Sequence, residues 1–236
     1  MHDDKLMEQV RELRARGFPP KVIARALGAR PAVVAPLVRA IASEASTEAA
    51  EPALVGCWVS QGWDEGLGVK GHPEWPGRHT FRPERCGLVS VLVAREHRRF
   101  DKVSVCGYLV DAYCLGVKDA IGPRAMPRGD LPAFVARYFE AYDDPPVAAP
   151  IGLAQHLVFG AVEYARGLGL EPHRDFGRAV GHLGSAPVTN AIRFGYGGQP
   201  YYVAGPYDDT RRILRTLEAS VGIDNLQFIV PAEAFA

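Results

Sequence analysis

Two apolar segments that follow each other closely, residues 88–94 and 102–111, constrain the fold more than any other feature. Both are rich in β-branched residues, and the charged turn REHRRFD between them favours an antiparallel pair of strands. Successive side chains of residues 102–111 point to opposite faces of the strand, and both faces carry apolar residues. We therefore expect this strand to lie at the centre of a sheet that is covered on both sides.

The rest of residues 54–236 predicts an α+β domain, with a mixed, mainly antiparallel sheet packed with helices. The glycine-rich segment GYGGQP predicts a hairpin, and Asp208 or Asp209 is expected to cap the helix that follows it. By periodicity and flanking Pro or Gly residues, further strands are expected at residues 54–60, 191–194, 201–204 and 225–230, and helices at residues 131–142, 150–166, 176–183 and 210–221.

Reactive side chains are concentrated just after residues 102–111 and again about 50 residues downstream. Clustered carboxylates and histidines suit a hard divalent metal, which would make the domain a metal-dependent hydrolase or nuclease. The alternative is structural: Asp119 pairs with Lys118 or Arg124, Glu163 pairs with Arg166, and His173 and Asp175 cap the following helix. The absence of a fixed-spacing signature such as HExxH favours this alternative. The candidate catalytic residues are Asp111, Cys114, Lys118, Asp119, Glu163, His173 and Asp175, and the candidate metal ligands among them are Asp111, Asp119, Glu163 and His173.

Cys114 suggests a second chemistry, in which its thiolate acts as a nucleophile with His156 or His173 as base. This requires a lowered thiol pKa, which Lys118, four residues further on, could provide if the segment is helical. The alternative is a buried structural cysteine. The four cysteines form no CxxC pair, no run approaches the roughly 18 apolar residues of a membrane span, and the N-terminus is charged, so we expect a cytoplasmic protein with reduced thiols.

Two further patterns have structural alternatives that we favour. His72, His79 and Cys86 recur every seven residues in a long irregular segment, but structural zinc sites use shorter spacings within each ligand pair. The glycines of GYGGQP would bind phosphate well at the start of a helix, whereas here they lie between two predicted strands.

The first 43 residues predict a small tri-helical module, and residues 44–53, which are small and acidic, predict a linker. The chain carries no net charge, so any attraction to nucleic acid must come from a local patch. Residues 10–40 provide one, because they contain a single acidic residue, Glu12. Their basic residues are Arg11, Arg14, Arg16, Lys21, Arg25, Arg30 and Arg39.

This module resembles the helix-turn-helix superfamily in four positions: the small residue Ala24, the turn residue Gly28 at the family's spacing, and the apolar Val34 and Leu37. The resemblance implies nucleic-acid-associated or regulatory binding, with a helix that begins near Pro31 in the major groove. The implied DNA contacts are Lys21, Arg25, Arg30 and Arg39.

Two features of the module favour a different use, as a docking unit for a protein partner or a second copy of the chain. Ala32, Val33 and Ala35 offer almost no hydrogen-bonding groups to base edges, and Pro36 departs from the pattern of a straight recognition helix.

The segments GYLVDAYCLGVKDA, FGAVEYARGLGLEPHRDF and FGYGGQPYYVAGP resemble motifs of an uncharacterised bacterial protein family. They cover most of residues 55–204. The resemblance implies that this region forms one domain, and it implies no activity or cofactor.

Overall fold

The computed structural model describes residues 2–15, 18–31, 33–38, 51–76, 87–98 and 101–232. The chain forms two compact units, residues 1–51 and residues 52–236. Most of the predicted linker lies outside the described residues. Within the described ranges, no helix combines the length and the apolar character that crossing a membrane requires.

The described residues of the first unit form three helices: α1 (His2–Ala15), α2 (Pro20–Ala26) and α3, which is described at residue 31 and residues 33–38. Gly28 lies in the turn between α2 and α3 with φ +61°, in the left-handed region that favours glycine. The three helices bury a small shared apolar core, formed by Val10, Ile23, Ala24, Val34 and Val38.

The second unit is built on a five-stranded antiparallel sheet, which confirms the predicted α+β class. The strands of this sheet, together with the short strand β2 outside it, are β1 (Leu54–Val59), β2 (Gly68–Val69), β3 (Leu88–Glu96), β4 (Lys102–Asp111), β5 (Gly116–Pro127) and β6 (Val147–Ala148). The strand order in the sheet is β5-β4-β3-β1-β6, and β3 pairs with β4 from Leu88 opposite Asp111 to Glu96 opposite Val103. The predicted antiparallel pair is therefore confirmed, and β4 is an interior strand.

Helices cover both faces of this sheet. Helix α4 (Leu131–Tyr138) packs on one face against β3 and β4, while α5 (Ile151–Gly167) and α6 (Phe176–Ala179) pack on the other. The apolar stripe predicted for α5 is confirmed, because the residues spaced three and four apart are buried. Those buried residues include Ala154, Val158, Ala161, Val162 and Ala165.

The sequence prediction missed strand β5. Gly122 and Pro123 interrupt its apolar pattern, and Pro cannot donate a ladder hydrogen bond, so the segment did not resemble a strand. The segment can nevertheless form a strand because β5 lies at the edge of the sheet, where one side of its backbone needs no hydrogen-bond partner.

The predicted hairpin around GYGGQP is wrong. Strand β7 (Ile192–Arg193) pairs with β2, whereas β8 (Tyr201–Val203) pairs in parallel with β9 (Gln227–Ile229). The glycine-rich segment instead turns the chain between two small sheets. Helix α7 (Thr210–Val221) connects β8 to β9, and the Asp209 side chain caps it by accepting from the Arg212 N–H at 3.1 Å.

Helix α4 is shorter than predicted, since it ends at Tyr138 while the pattern extended to Tyr142. The chain then turns through residues 139–144 ahead of Pro145 and Pro146. The early end leaves part of the sheet face beyond α4 without a helix.

Candidate functional site

Asp111 lies at the end of β4, where the chain turns towards β5. Its side chain is only 3% exposed, and Oδ1 accepts hydrogen bonds from the backbone N–H groups of Tyr113 at 3.0 Å and Cys114 at 2.9 Å. An aspartate that accepts from backbone groups two and three residues later stabilises a tight turn. The carboxyl group of Asp111 therefore has a structural role in the β4–β5 connection.

Burial also changes the acidity of this carboxyl group. Loss of solvation raises the pKa of Asp111 to about 6, although Lys118 and the surrounding backbone N–H groups favour the charged form. The group changes its charge inside the folded protein at a pH where an ordinary aspartate is fully ionised.

The environment of Cys114 is the opposite of what a nucleophile needs. The residue is fully buried, and burial followed by the nearby Asp111 raises the pKa of its thiol despite the presence of Lys118. The lowered pKa that a nucleophilic Cys114 would require is not found, because the cost of burying a thiolate exceeds the stabilisation that Lys118 provides. Cys114 instead packs with Leu115, Tyr202 and Leu217.

Lys118, in β5, forms a largely buried ion pair with Asp208. Nζ lies 3.0 Å from Oδ2, and the two side chains are 17% and 11% exposed. The same carboxylate oxygen accepts from the Gly205 N–H at 2.8 Å and lies 3.3 Å from the Tyr202 hydroxyl. The sequence predicts Asp208 only as a helix cap, because no local signal connects two residues so far apart in the chain.

Asp119, His173 and Asp175 come together at the surface. Nδ1 of His173 lies 3.5 Å from Oδ1 of Asp119 and 3.7 Å from Oδ2 of Asp175. The backbone N–H of His173 donates to the Val117 carbonyl at 2.8 Å, which holds this loop against β5. Three of the predicted site residues are thus neighbours.

The expected set of metal ligands does not assemble. Asp111 is buried at the end of β4, Asp119 contacts His173 near the surface, and Glu163 is exposed on α5. Within the described part of the chain, no three His, Cys, Asp or Glu side chains are placed to hold one metal ion. The positions of these residues therefore do not support metal-dependent hydrolysis.

The predicted histidine and cysteine pattern is visible only at His72, since His79 and Cys86 lie outside the described residues. The His72 ring stacks on Trp75 at 4.1 Å between centroids, and its Nδ1 is 2.9 Å from Glu74. These contacts are those of a locally packed loop.

Lys118 and His173 line a common cleft of about 630 Å³. The other charged residues around it are of both signs: Arg174, Arg212, Glu171, Asp208 and Asp209. Basic and acidic groups are nearly equal in number, so the cleft does not select a ligand charge.

A second cavity, of about 550 Å³, lies on the sheet face beyond the end of α4. We call it the α4 cavity. The sequence does not predict this cavity directly, although the spacing of four between Tyr138 and Tyr142 indicates two aromatic rings on one side of the chain. The described residues around it are Leu88, Ser90, Gly107, Leu109, Asp119, Ala120, Ile121, Tyr138, Ala141, Tyr142 and Asp143.

In the first unit, the predicted nucleic-acid contacts Lys21, Arg25 and Arg30 are all exposed. Lys21 and Arg25 lie on α2, four residues apart, and so share one side of the helix. Arg39 lies outside the described residues.

We compared the chain with known proteins, and neither a family model nor a curated protein nor a solved structure matches it.

Proposed function

We propose that the unit of residues 1–51 binds DNA as a helix-turn-helix module. The observation that carries the proposal is the turn at Gly28, whose φ of +61° reverses the chain between α2 and α3. On either side of it, Ala24 and Val34 are 2% and 0% exposed in the shared core. This combination of a small buried residue, a left-handed glycine and a buried apolar residue fits the spacing that resembles the superfamily.

The charge distribution of the exposed surface supports the same function. Lys21, Arg25 and Arg30 flank the turn and are exposed, so they can approach phosphate groups without losing a buried contact. Arg14, also exposed, donates to the Phe18 carbonyl at 3.2 Å and so contributes to the entry of α2.

The exposed residues of α3 favour contact with the DNA backbone over base reading. Val33 is 41% exposed and provides no hydrogen-bonding group. We therefore expect binding with little sequence preference and a steep dependence on salt, because neutralising phosphates releases counterions.

The test is a fluorescence-anisotropy titration of a labelled DNA duplex with the full chain at several salt concentrations. We expect the triple variant K21Q/R25Q/R30Q to lose about tenfold or more in affinity and to reduce the slope of log affinity against log salt by about two to three. The three positions are exposed, so the folded unit should tolerate the changes.

The matched control removes three exposed arginines from α7, in R211Q/R212Q/R215Q. It changes the net charge by the same amount in the second unit and should leave most of the binding intact. Equal losses in both variants, or the absence of salt-sensitive binding by the unmodified chain, would contradict the proposal and favour the module as a protein-docking unit.

A further inference from the structure

His156, on α5, fixes the position of the chain just before β7. Its ring Nδ1 accepts a hydrogen bond from the backbone N–H of Ala191 at 3.1 Å. Asn190 adds a second attachment, because its side-chain amide donates to the His156 carbonyl at 2.9 Å. Oδ1 of Asn190 also accepts from the Ile192 N–H at 2.8 Å, which sets the local backbone. The segment of residues 190–192 is thus bound to α5 through one imidazole ring and one side-chain amide.

The same segment carries the small sheet formed by β2 and β7. The two strands pair, and the Lys70 N–H, just after β2, donates to the Ala191 carbonyl at 3.0 Å. The chain then returns to α5, where the ring centroids of Trp75 and His72 lie 5.2 and 5.6 Å from that of His156. The His156 ring therefore contacts both parts of the chain that this sheet connects.

The hydrogen bond from Ala191 determines the protonation state of His156. A ring nitrogen accepts a hydrogen bond only while it carries no proton, so the ring proton of a neutral His156 lies on Nε2. Burial lowers the pKa of His156 from its ordinary value of 6.5, and the hydrogen bond with Asn190 opposes this effect only in part. The folded protein therefore favours the neutral imidazole.

The charged groups around His156 favour the same neutral state. His72 faces the ring from the loop after β2, and its Nδ1 lies 2.9 Å from Oε1 of Glu74. Glu74 is the only acidic residue in residues 68–76 and 190–193, and it contacts His72 and not His156. The other charged residues of these two segments and of α5 are exposed: Lys70, Arg193, Glu163 and Arg166. A positive charge on His156 thus faces a second histidine and no carboxylate that contacts it.

We propose that His156 is a pH-sensitive latch, which holds residues 190–192 and the strand pair β2–β7 on α5 when it is neutral and releases them when it is protonated. A proton taken from solvent onto Nδ1 removes the acceptor for the Ala191 N–H. The new N–H faces Oδ1 of Asn190 at 3.3 Å, an oxygen that already accepts from the Ile192 N–H. The latch belongs to the second unit and is independent of the proposed DNA binding.

Amide hydrogen exchange of the full chain, followed by nuclear magnetic resonance between pH 7.5 and pH 5, tests the latch. We expect the protection of the Ala191 N–H, corrected for the intrinsic pH dependence of exchange, to fall about tenfold as His156 is protonated. The His156 ring signals should titrate with the same midpoint, which should lie below 6.5. The Val91 N–H, inside the five-stranded sheet, should keep its protection. An Ala191 protection that stays constant while the His156 ring titrates would overturn the proposal.

His156→Gln isolates the ring, because a glutamine oxygen can accept from the Ala191 N–H and does not titrate in this range. We expect its Ala191 protection to be independent of pH, at the high value where the glutamine oxygen reaches the Ala191 N–H and at the low value where it does not. The control His97→Gln removes a histidine from the turn after β3 and should keep the full pH dependence. A pH dependence in His156→Gln equal to that of the unmodified protein would overturn the assignment to His156.

His72→Gln provides a test in which His156 itself is unchanged. It removes the positive charge that faces the ring, so the titration midpoint of His156 should rise. The midpoint for the loss of Ala191 protection should rise by the same amount, because one proton controls both. A shift of the ring midpoint without the same shift at Ala191 would show that the two events are not coupled, and the latch would have to be abandoned.

Discussion

The ammonium group of Lys118 lies 3.0 Å from the carboxylate of Asp208, across a separation of 90 positions in the chain. The pair connects β5 to the turn ahead of α7, and so ties the five-stranded sheet to the C-terminal part of the second unit. Because both side chains are largely buried, each charge has lost much of its contact with water and is balanced by the charge of the other residue.

Removal of the lysine should therefore destabilise the fold. We expect Lys118→Met to lower the free energy of unfolding by about 2 to 4 kcal/mol, because it leaves the Asp208 carboxylate with only neutral hydrogen-bond donors. Urea denaturation measures the change. The matched control is Arg166→Met, which breaks the exposed pair with Glu171 and should cost less than about 1 kcal/mol. Equal effects of the two variants would mean that the burial of Lys118 does not strengthen its pair.

The raised pKa of Asp111 predicts a pH-dependent stability. Burial raises this pKa to about 6 from the ordinary value of 3.8, so between these values the folded state binds more protons than the unfolded state. The free energy of unfolding should thus fall as pH rises from 4 to 6, by about 3 kcal/mol in total, and show no further change from this group above that range.

Asp111→Asn isolates this contribution, because Asn has a similar shape and no charge at any pH. We expect its free energy of unfolding, measured relative to that of the unmodified protein, to increase by about 3 kcal/mol between pH 4 and pH 7. Asp224→Asn, at an exposed position, serves as the control and should give only a small change in the same difference. Parallel profiles for Asp111→Asn and the unmodified protein would contradict the prediction.

Buried thiols predict slow reaction with thiol reagents. Cys57, Cys106 and Cys114 are at most 3% exposed, and burial raises the pKa of the first two to about 12. At pH 8 such a thiol is ionised in only about one molecule in ten thousand. In the variant Cys86→Ser, we expect no rapid reaction with a disulfide reagent in the folded state and three reactive thiols after unfolding in urea.

A single fast thiol in folded Cys86→Ser, lost on the further change Cys114→Ser, would contradict this expectation. That result would restore Cys114 as a nucleophile.

The sequence predicts best where one local pattern determines the structure. The bounds of β4 and α7 agree with the structure because alternation in one and a capped helical period in the other are strong signals. Strand β5 was missed because its acceptance of Pro123 depends on its place at the sheet edge, which is a property of the assembled sheet. The hairpin prediction was wrong for a related reason, because β7 and β8 each pair with a strand from another part of the chain and not with each other.

The candidate sites also combine features that a local sequence pattern predicts with features that only the assembled fold determines. Asp111, Lys118 and His173 could be selected by residue type and position, but their partners could not. Asp208 acquires its role only when the GPYDD turn folds against β5. The α4 cavity depends on the difference in length between a helix and a sheet, and the helix ended four residues before the apolar pattern did.

Gly107 has no side chain, which allows the ring of Tyr138 to lie on the sheet. A Cβ atom at this position would lie 2.6 Å from Cε2 of Tyr138 and 2.7 Å from its hydroxyl oxygen. We expect Gly107→Ala to lower the free energy of unfolding by about 1 to 3 kcal/mol, the usual cost of overpacking. Gly152→Ala in α5, where an added Cβ meets no atom within 4 Å, should cost nothing or stabilise the protein by up to about 1 kcal/mol.

A double-mutant cycle with Tyr138→Leu separates this clash from a change in backbone preference. If the ring is the obstacle, Gly107→Ala should cost less in the Tyr138→Leu background, because the shorter side chain leaves room for the added methyl group. An unchanged cost in that background would show that strand β4 itself, and not the contact with Tyr138, requires glycine at position 107.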